Sequence, residues 1–85
     1  MVEYEVSINL KAIDFLLSRL EKRGTKLLYD IGQLGKNPFK EPDFVDPGKE
    51  GALHGILSDE HVVYYYVDHA VKTVYVVDVR LADEV

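Results

Sequence analysis

The 85-residue sequence contains no cysteine and no tryptophan. The absence of cysteine excludes disulfide bonds, cysteine-ligated zinc and thiol chemistry. Uncharged runs all fall far short of the roughly 18 residues that a membrane-spanning helix requires. Residues 1–5 alternate apolar and acidic side chains, unlike the basic start and apolar run of a signal peptide. We therefore expect a soluble cytoplasmic protein.

Positive charge is also scarce. Ten lysines and arginines stand against fifteen aspartates and glutamates, and the formal net charge is −5. Nucleic-acid-binding proteins usually have the opposite balance, because contacts to phosphates supply most of their non-specific affinity. One basic cluster breaks the pattern, and it consists of Arg19, Lys22, Arg23 and Lys26. We interpret it as a solvated helix end, because cations favour the C-terminal end of the helix dipole.

The N-terminal half of the chain predicts one strand followed by two helices. Residues 2–8 alternate with a period of two, as in a half-buried strand. Asn9 suits the N-cap of a first helix, whose apolar residues recur at helical spacing up to Arg23. Gly24 is expected to end that helix and Thr25 to cap a second one. A connection this short predicts an antiparallel helical hairpin.

The second half predicts a loop and then three strands. Residues 37–50 carry all three prolines and are expected to form a loop, anchored by Phe39 and Phe44. Three predicted strands follow at close spacing, which makes them antiparallel neighbours: residues 52–57, 61–67 and 72–80. The order β-α-α-β-β-β predicts an α+β fold, an antiparallel sheet with a helical hairpin packed on one face. We expect one domain over residues 1–85.

Three side chains titrate near neutral pH, namely His54, His61 and His69. In the predicted hairpin His61 lies opposite Ile56 and near His54. With Arg80 and Tyr65, a histidine pair there could supply an acid, a base and an anion clamp. The alternative, which we favour, is that the three histidines are ordinary strand and turn residues.

Consecutive tyrosines are the most prominent local pattern. Tyr65 is expected on one face of its strand and Tyr64 and Tyr66 on the other, with Tyr75 of the next strand able to join either set. Rows of rings occur in packing, in protein interfaces and in platforms that stack nucleic-acid bases. Because cations are scarce nearby, we favour packing or a protein interface.

The carboxylates and histidines show no metal-ligand spacing, so we expect no metal and no cofactor. Asp78 is unusual because it lies inside an apolar strand. It is predicted on the face opposite Val77 and Val79, where it either faces solvent or pairs with Arg80. Exposure to solvent is the interpretation that we favour.

Several short motifs follow one another in a particular order: residues 4–8 before a helix that contains Ala12, residues 34–39 at the end of the second helix, residues 63–68 and 73–79 in a terminal hairpin, and residues 82–83. This order resembles the RelE/ParE toxin superfamily of type II toxin–antitoxin modules, and in particular a poorly characterised subgroup. The resemblance implies the α+β fold predicted above. It also implies either cleavage of messenger RNA on the ribosome, as in RelE-like members, or inhibition of DNA gyrase, as in ParE-like members.

The resemblance implies further that RelE-like nucleases carry cations on the terminal hairpin and just after it, where they stabilise charge that develops on phosphate. This sequence departs from that pattern. The position that holds an arginine in the hairpin of RelE-like members corresponds here to Val62 or to His61, depending on the direction of counting. The disagreement suggests a β-bulge. The position of the second arginine, after the last strand, corresponds to Ala82. Arg80 is the cation nearby. The catalytic candidates are therefore Arg80, His61 and Tyr65.

We expect a toxin or toxin-like component that acts mainly through protein binding, since the cations for RNA cleavage are missing. Its expected partner is an antitoxin that wraps the helical hairpin and the sheet, with the ribosome and messenger RNA, or another protein, as a target. Two alternatives are a ribosome-dependent endoribonuclease with a substituted active site and a non-toxic interaction domain. No membrane partner is expected, whereas an exposed sheet edge favours a homodimer.

Overall fold

The structure is a computed structural model that describes residues 3–19, 24–46, 53–58 and 60–84. Predicted segments that extend into residues 1–2, 20–23, 47–52, 59 or 85 lie partly outside these described residues. The elements in chain order are β1 (Glu5–Ile8), α1 (Leu10–Arg19), α2 (Gly24–Lys36), β2 (Phe44–Asp46), β3 (Leu53–Ser58), β4 (His61–Asp68), β5 (Thr73–Leu81) and a short 3-10 helix (Ala82–Glu84). Neither α-helix, over its described residues, is long and apolar enough to cross a membrane.

The five strands form one mixed sheet in the order β1-β5-β4-β3-β2. Strands β2 to β5 are antiparallel neighbours, whereas β1 runs parallel to β5. The α+β class and the helical layer agree with the sequence prediction, but the sheet as a whole is not antiparallel. The reason is that both helices separate β1 from the later strands, so no tight turn requires antiparallel pairing there.

Residues 44–46, which were predicted as part of a loop, form the edge strand β2. Phe44 pairs with Gly55, and its ring occupies the space that a side chain at position 55 would need. The same ring packs edge-on against Tyr64, with 5.9 Å between the ring centroids. Phe44 therefore anchors the segment as expected, and Phe39, although 72% exposed, packs edge-on against Tyr4 with 5.9 Å between the ring centroids. The prolines of this segment predicted a loop, because the pairing that makes it a strand depends on Gly55, which is distant in sequence.

Asn9 fixes both the start of α1 and its position on the sheet. Its Oδ1 accepts a hydrogen bond from the Ala12 N–H at 2.9 Å, which confirms the predicted N-cap. Its Nδ2 donates to the Val77 carbonyl at 2.7 Å, and its backbone N–H donates to the Val76 carbonyl at 3.1 Å. One residue thus caps the helix and attaches it to β5.

The core lies between the helices and one face of the sheet, which we call the helix face. Its buried side chains come from both helices and from β3, β4 and β5: Ala12, Leu27, Ile31, Leu34, Ile56, Val63, Tyr65, Val74, Val76 and Val79. Tyr4, Val6 and Ile8 pack at its border, as the alternation of the first strand predicted. The second helix begins at Gly24, one residue before the predicted cap at Thr25.

Two glycines of α2 give a matched test of how closely this helix approaches the chain before β1. A Cβ atom at Gly32 would meet nothing within 4 Å, whereas one at Gly35 would lie 2.5 Å from the backbone oxygen of Tyr4. We expect Gly32→Ala to raise the free energy of unfolding by about 0.5–1 kcal/mol, because alanine favours helix. Gly35→Ala should lower it by about 1–3 kcal/mol through overpacking. Urea denaturation measures both, and effects of the same sign would contradict the close approach.

Candidate functional site

The face of the sheet that points away from the helices carries mainly aromatic and aliphatic side chains, and we call it the open face. Its described residues on β2 to β5 alternate with the core residues: Phe44, Leu53, Gly55, Leu57, Val62, Tyr64, Tyr66, Asp68, Thr73, Tyr75, Asp78 and Arg80. Tyr66 stacks on Tyr75 with 5.0 Å between the ring centroids. The predicted division of the three consecutive tyrosines between two faces is therefore observed.

A one-residue bulge in β5 decides which side chains reach the open face. The pairing of β4 with β5 passes from Tyr64–Asp78 directly to Tyr65–Val76, so Val77 is an extra residue without a counterpart in β4. The mismatch in counting along residues 58–67 suggests a bulge in that segment, but β3 and β4 pair there without a shift, and the extra residue lies on β5 instead. A bulge re-aims the side chains that follow it.

The consequence of the bulge is visible on both sides of the sheet. Val76 and Val79 both lie in the core, although a regular strand would point them to opposite faces. Asp78 and Arg80 reach the open face together.

Arg80 is held by its neighbour Asp78. The Arg80 Nε donates to the Asp78 Oδ2 at 2.7 Å, and the Asp78 Oδ1 accepts from the Val79 N–H at 2.9 Å. The guanidinium carbon lies 5.7 Å from the centroid of the Tyr64 ring. Of the two interpretations of Asp78, pairing with Arg80 is the one observed. A carboxylate therefore offsets the charge of this arginine.

His61 lies on the other side of the sheet from Arg80. Its side chain is 3% exposed and shares the helix face with Val63. It pairs with Ser58, not with Ile56 as predicted, because β3 continues through Ser58 and the turn to β4 comes one residue later than expected. His54 pairs instead with Tyr65, so the two histidines are not cross-strand neighbours.

Tyr65 is a core residue. It is 2% exposed, and its ring packs edge-on against His54 with 5.5 Å between the centroids. Burial, assisted by the negative charge of Asp43, raises the pKa of the Tyr65 hydroxyl above its ordinary value of 10.0. The hydroxyl is therefore protonated at neutral pH.

The structure does not bring the three catalytic candidates into one site. His61 and Tyr65 lie on the helix face, whereas Arg80 lies on the open face, so the sheet itself separates them. Substrate on the open face would meet Arg80 without the other two. Catalysis by Arg80, His61 or Tyr65 stays a prediction.

An aromatic cluster that sequence reasoning missed lies at one corner of the fold. His69, in the turn after β4, stacks on Phe39 with 5.0 Å between centroids and 9° between planes. The Tyr4 hydroxyl lies 2.9 Å from the His69 Nδ1. These rings come from three distant segments, so no local pattern could have indicated the cluster.

Comparison with known proteins gives matches to solved structures. No protein-family model and no curated protein matches the chain. A chain of the toxin–antitoxin complex RelBE2 from Mycobacterium tuberculosis matches with a TM-score of 0.75 at 20% identity, over 98% of this chain and 97% of that one. The RelE–RelB complex from Pyrococcus horikoshii matches with a TM-score of 0.78 at 17% identity, over the whole of both chains.

A third solved structure, a YoeB/ParE toxin from Agrobacterium tumefaciens, matches with a TM-score of 0.69 at 17% identity, over 91% of this chain and 96% of that one. The chain has the RelE/ParE toxin fold. At these identities the likeness concerns the RelE/ParE fold alone, and it confirms the architecture expected from the sequence.

Positive charge is scarce on the described part of the open face of this RelE/ParE fold. Among the described strand residues of that face, Arg80 is the only lysine or arginine. Val62, one of the two positions at which the resemblance implies an arginine, is buried and pairs with Leu57 and Arg80. The described open face therefore suits contact with apolar groups better than contact with phosphates.

A groove between α2 and β3 is the second surface feature of the RelE/ParE fold here, and we call it the α2 groove. Its volume is about 530 Å³, and it is lined by Lys26, Tyr29, Asp30, Gln33, Leu34, Asn37, Lys40, Ile56 and Leu57. The Asp30 Oδ2 accepts hydrogen bonds from the Lys26 Nζ and the Ser58 Oγ, each at 2.7 Å. The bond to Ser58 ties α2 to β3.

Removing the Ser58 hydroxyl tests this tie. Burial acts to raise the pKa of Asp30, but the hydrogen bonds from Lys26 and Ser58 outweigh it and hold the pKa below 3.8. Because the pKa of Asp30 is lower in the folded than in the unfolded protein, the ionised carboxyl stabilises the fold at pH values above the unfolded-state pKa. That stabilisation is lost as the pH falls through the folded-state pKa. We expect Ser58→Ala to raise the pKa of Asp30 and to lower the free energy of unfolding by about 0.5–2 kcal/mol at pH 7.

The difference in stability between Ser58→Ala and the wild type should shrink as the pH falls through the lowered pKa of Asp30 in the wild type, because the carboxyl is then protonated in both proteins. NMR titration of the Asp30 carboxyl and denaturation at several pH values measure the two effects. Ser7→Ala, in the exposed part of β1, is the control and should change neither quantity. An unchanged pKa of Asp30 in Ser58→Ala would contradict the role of this bond.

Proposed function

We propose that the chain is a cytoplasmic toxin or toxin-like component of a type II toxin–antitoxin module, and that it acts mainly by binding other proteins. The RelE/ParE fold supports the proposal. Two of the similar structures are complexes, RelBE2 and RelE–RelB, of a toxin with its antitoxin. By the same reasoning, the first partner that we propose for this chain is an antitoxin.

The side chains of the open face support protein binding as the main activity. Cleavage of RNA by its own 2′-hydroxyl develops negative charge on phosphate, which preorganised cations must stabilise. The described open face offers Arg80, which is bonded to Asp78, together with the stacked rings of Tyr66 and Tyr75. Rigid aromatic rings are typical anchors of protein interfaces, because they bury much area at little cost in conformational entropy.

Expression in a bacterial host, with and without the product of the adjacent reading frame, tests the proposal. We expect the wild-type chain to inhibit growth and the co-expressed neighbour to relieve the inhibition and to co-purify with the chain. Arg80→Ala should inhibit growth as strongly as the wild type, because the proposed action needs no cation at that position. Growth curves of equally expressed proteins provide the measurement.

The matched variant Arg80→Lys separates the alternatives. If Arg80→Ala loses toxicity while Arg80→Lys keeps it, a positive charge on the open face is required and the nuclease hypothesis replaces ours. Unimpaired growth with the wild-type chain would remove the toxin assignment and leave a non-toxic interaction domain. His61→Ala is informative only when circular dichroism shows an intact fold, because the side chain is buried.

A further inference from the structure

The open face already contains one arginine that lies over a tyrosine ring. The guanidinium carbon of Arg80 is 5.7 Å from the centroid of the Tyr64 ring, and its Nε donates to the Asp78 Oδ2 at 2.7 Å. Tyr64 and Asp78 are cross-strand partners in β4 and β5. One cross-strand pair thus gives a guanidinium both a ring face and a carboxylate, the two contacts that this planar cation favours.

A second tyrosine site, the Tyr66–Tyr75 pair, lies beside the first on the open face and is more exposed. Tyr66 and Tyr75 are also cross-strand partners, and their rings stack with 5.0 Å between centroids and 23° between planes. Tyr66 is 42% exposed, whereas Tyr64 is buried. The face of an exposed tyrosine ring attracts cations because of the quadrupole of the ring.

Two carboxylates flank the Tyr66–Tyr75 pair towards the turn between β4 and β5. Asp68 and Glu5 lie on either side of Thr73, which pairs with both of them. Alternation places both carboxylates on the open face, because the residue after Glu5 and the residue before Asp68 pack against the core. Two residues correspond to about 7 Å along a strand, so one long side chain can contact the tyrosines and a carboxylate together.

The contacts of these carboxylates leave their negative charge without an ion pair in the described part of the chain. The Asp68 Oδ1 accepts from two backbone N–H groups of the following turn, at 3.0 and 3.3 Å. Among the residues that the structure describes, no lysine or arginine forms an ion pair with Asp68 or Glu5, and Lys72 of the same turn is no exception. The Tyr66–Tyr75 pair therefore combines ring faces with carboxylates that a cation from another protein can pair with.

We propose that the Tyr66–Tyr75 pair binds an arginine side chain from a basic segment of a partner protein. The guanidinium stacks on the exposed ring of Tyr66 and donates to the carboxylate of Asp68, as the chain's own arginine does at the neighbouring tyrosine. The formal net charge of −5 favours the approach of a basic segment. The assignment rests on the proposed function, because it specifies the chemistry of the protein that the chain binds.

Binding of the tripeptide glycyl-arginyl-glycine, blocked at both ends, to the purified chain tests the proposal by NMR titration. The same peptide with citrulline in place of arginine is the matched probe, because citrulline has nearly the same shape without the charge. We expect saturable shifts centred on Tyr66, Tyr75 and Asp68 with the arginine peptide. The citrulline peptide should bind at least about fivefold more weakly.

Two variants alter the site without altering the turn. Tyr66→Leu removes an exposed ring, and Asp68→Asn removes the charge but keeps an Oδ1 acceptor for the turn. Each should weaken binding of the arginine peptide at least about fivefold. Tyr29→Leu, at a ring of α2 that is 64% exposed, and Glu41→Gln, at an exposed carboxylate after α2, are matched controls and should change the affinity less than about twofold.

Equal affinity for the two peptides, or full affinity in both Tyr66→Leu and Asp68→Asn, would overturn the arginine site. It would leave the proposed function intact, because growth inhibition and co-purification test that function separately. Shifts spread over all the carboxylates would also overturn the site, since the net charge alone explains them. Unimpaired growth with the wild-type chain, together with specific binding of the arginine peptide, would overturn the toxin assignment and support the site.

Discussion

The attachment of Asn9 to the bulged strand β5 is the interaction on which most of the structure depends. Its side chain caps α1 and donates to the carbonyl of the bulged residue Val77, while its backbone bonds Val76. The bulge lets Val76 and Val79 both face the core. The short helix α1 is thereby held in one register on the sheet.

The same bulge determines the chemistry of the open face. It brings Asp78 and Arg80 to that face side by side, and the two charges offset each other at 2.7 Å. The rest of the described open face is mainly apolar and aromatic, with Tyr64 close to both Phe44 and Arg80. The open face therefore suits contact with another protein better than contact with the phosphates of an RNA backbone.

Local patterns predicted the elements well, and pairing between distant residues explains what they missed. Alternation divided the tyrosines correctly, and Asn9 was identified as an N-cap, because both features depend on neighbouring residues. Local patterns do not contain the pairing between distant strands. They therefore missed the cross-strand partner of His61 and the parallel pairing of β1 with β5. They also missed the strand at Phe44, which depends on its pairing with Gly55. The sequence identified Arg80 as the cation near the terminal hairpin. Its bond to Asp78 was one of two alternatives predicted for that aspartate.

Direct binding of single-stranded RNA to the purified chain is the measurement that tests the central claim most closely. Fluorescence anisotropy over a range of salt concentrations reports both the affinity and the number of phosphates contacted, since the logarithm of the binding constant falls with the logarithm of salt by about 0.7 per phosphate. We predict binding weaker than about 10⁻⁴ M with almost no dependence on salt. Micromolar binding with a steep slope, corresponding to several phosphate contacts, would contradict the account.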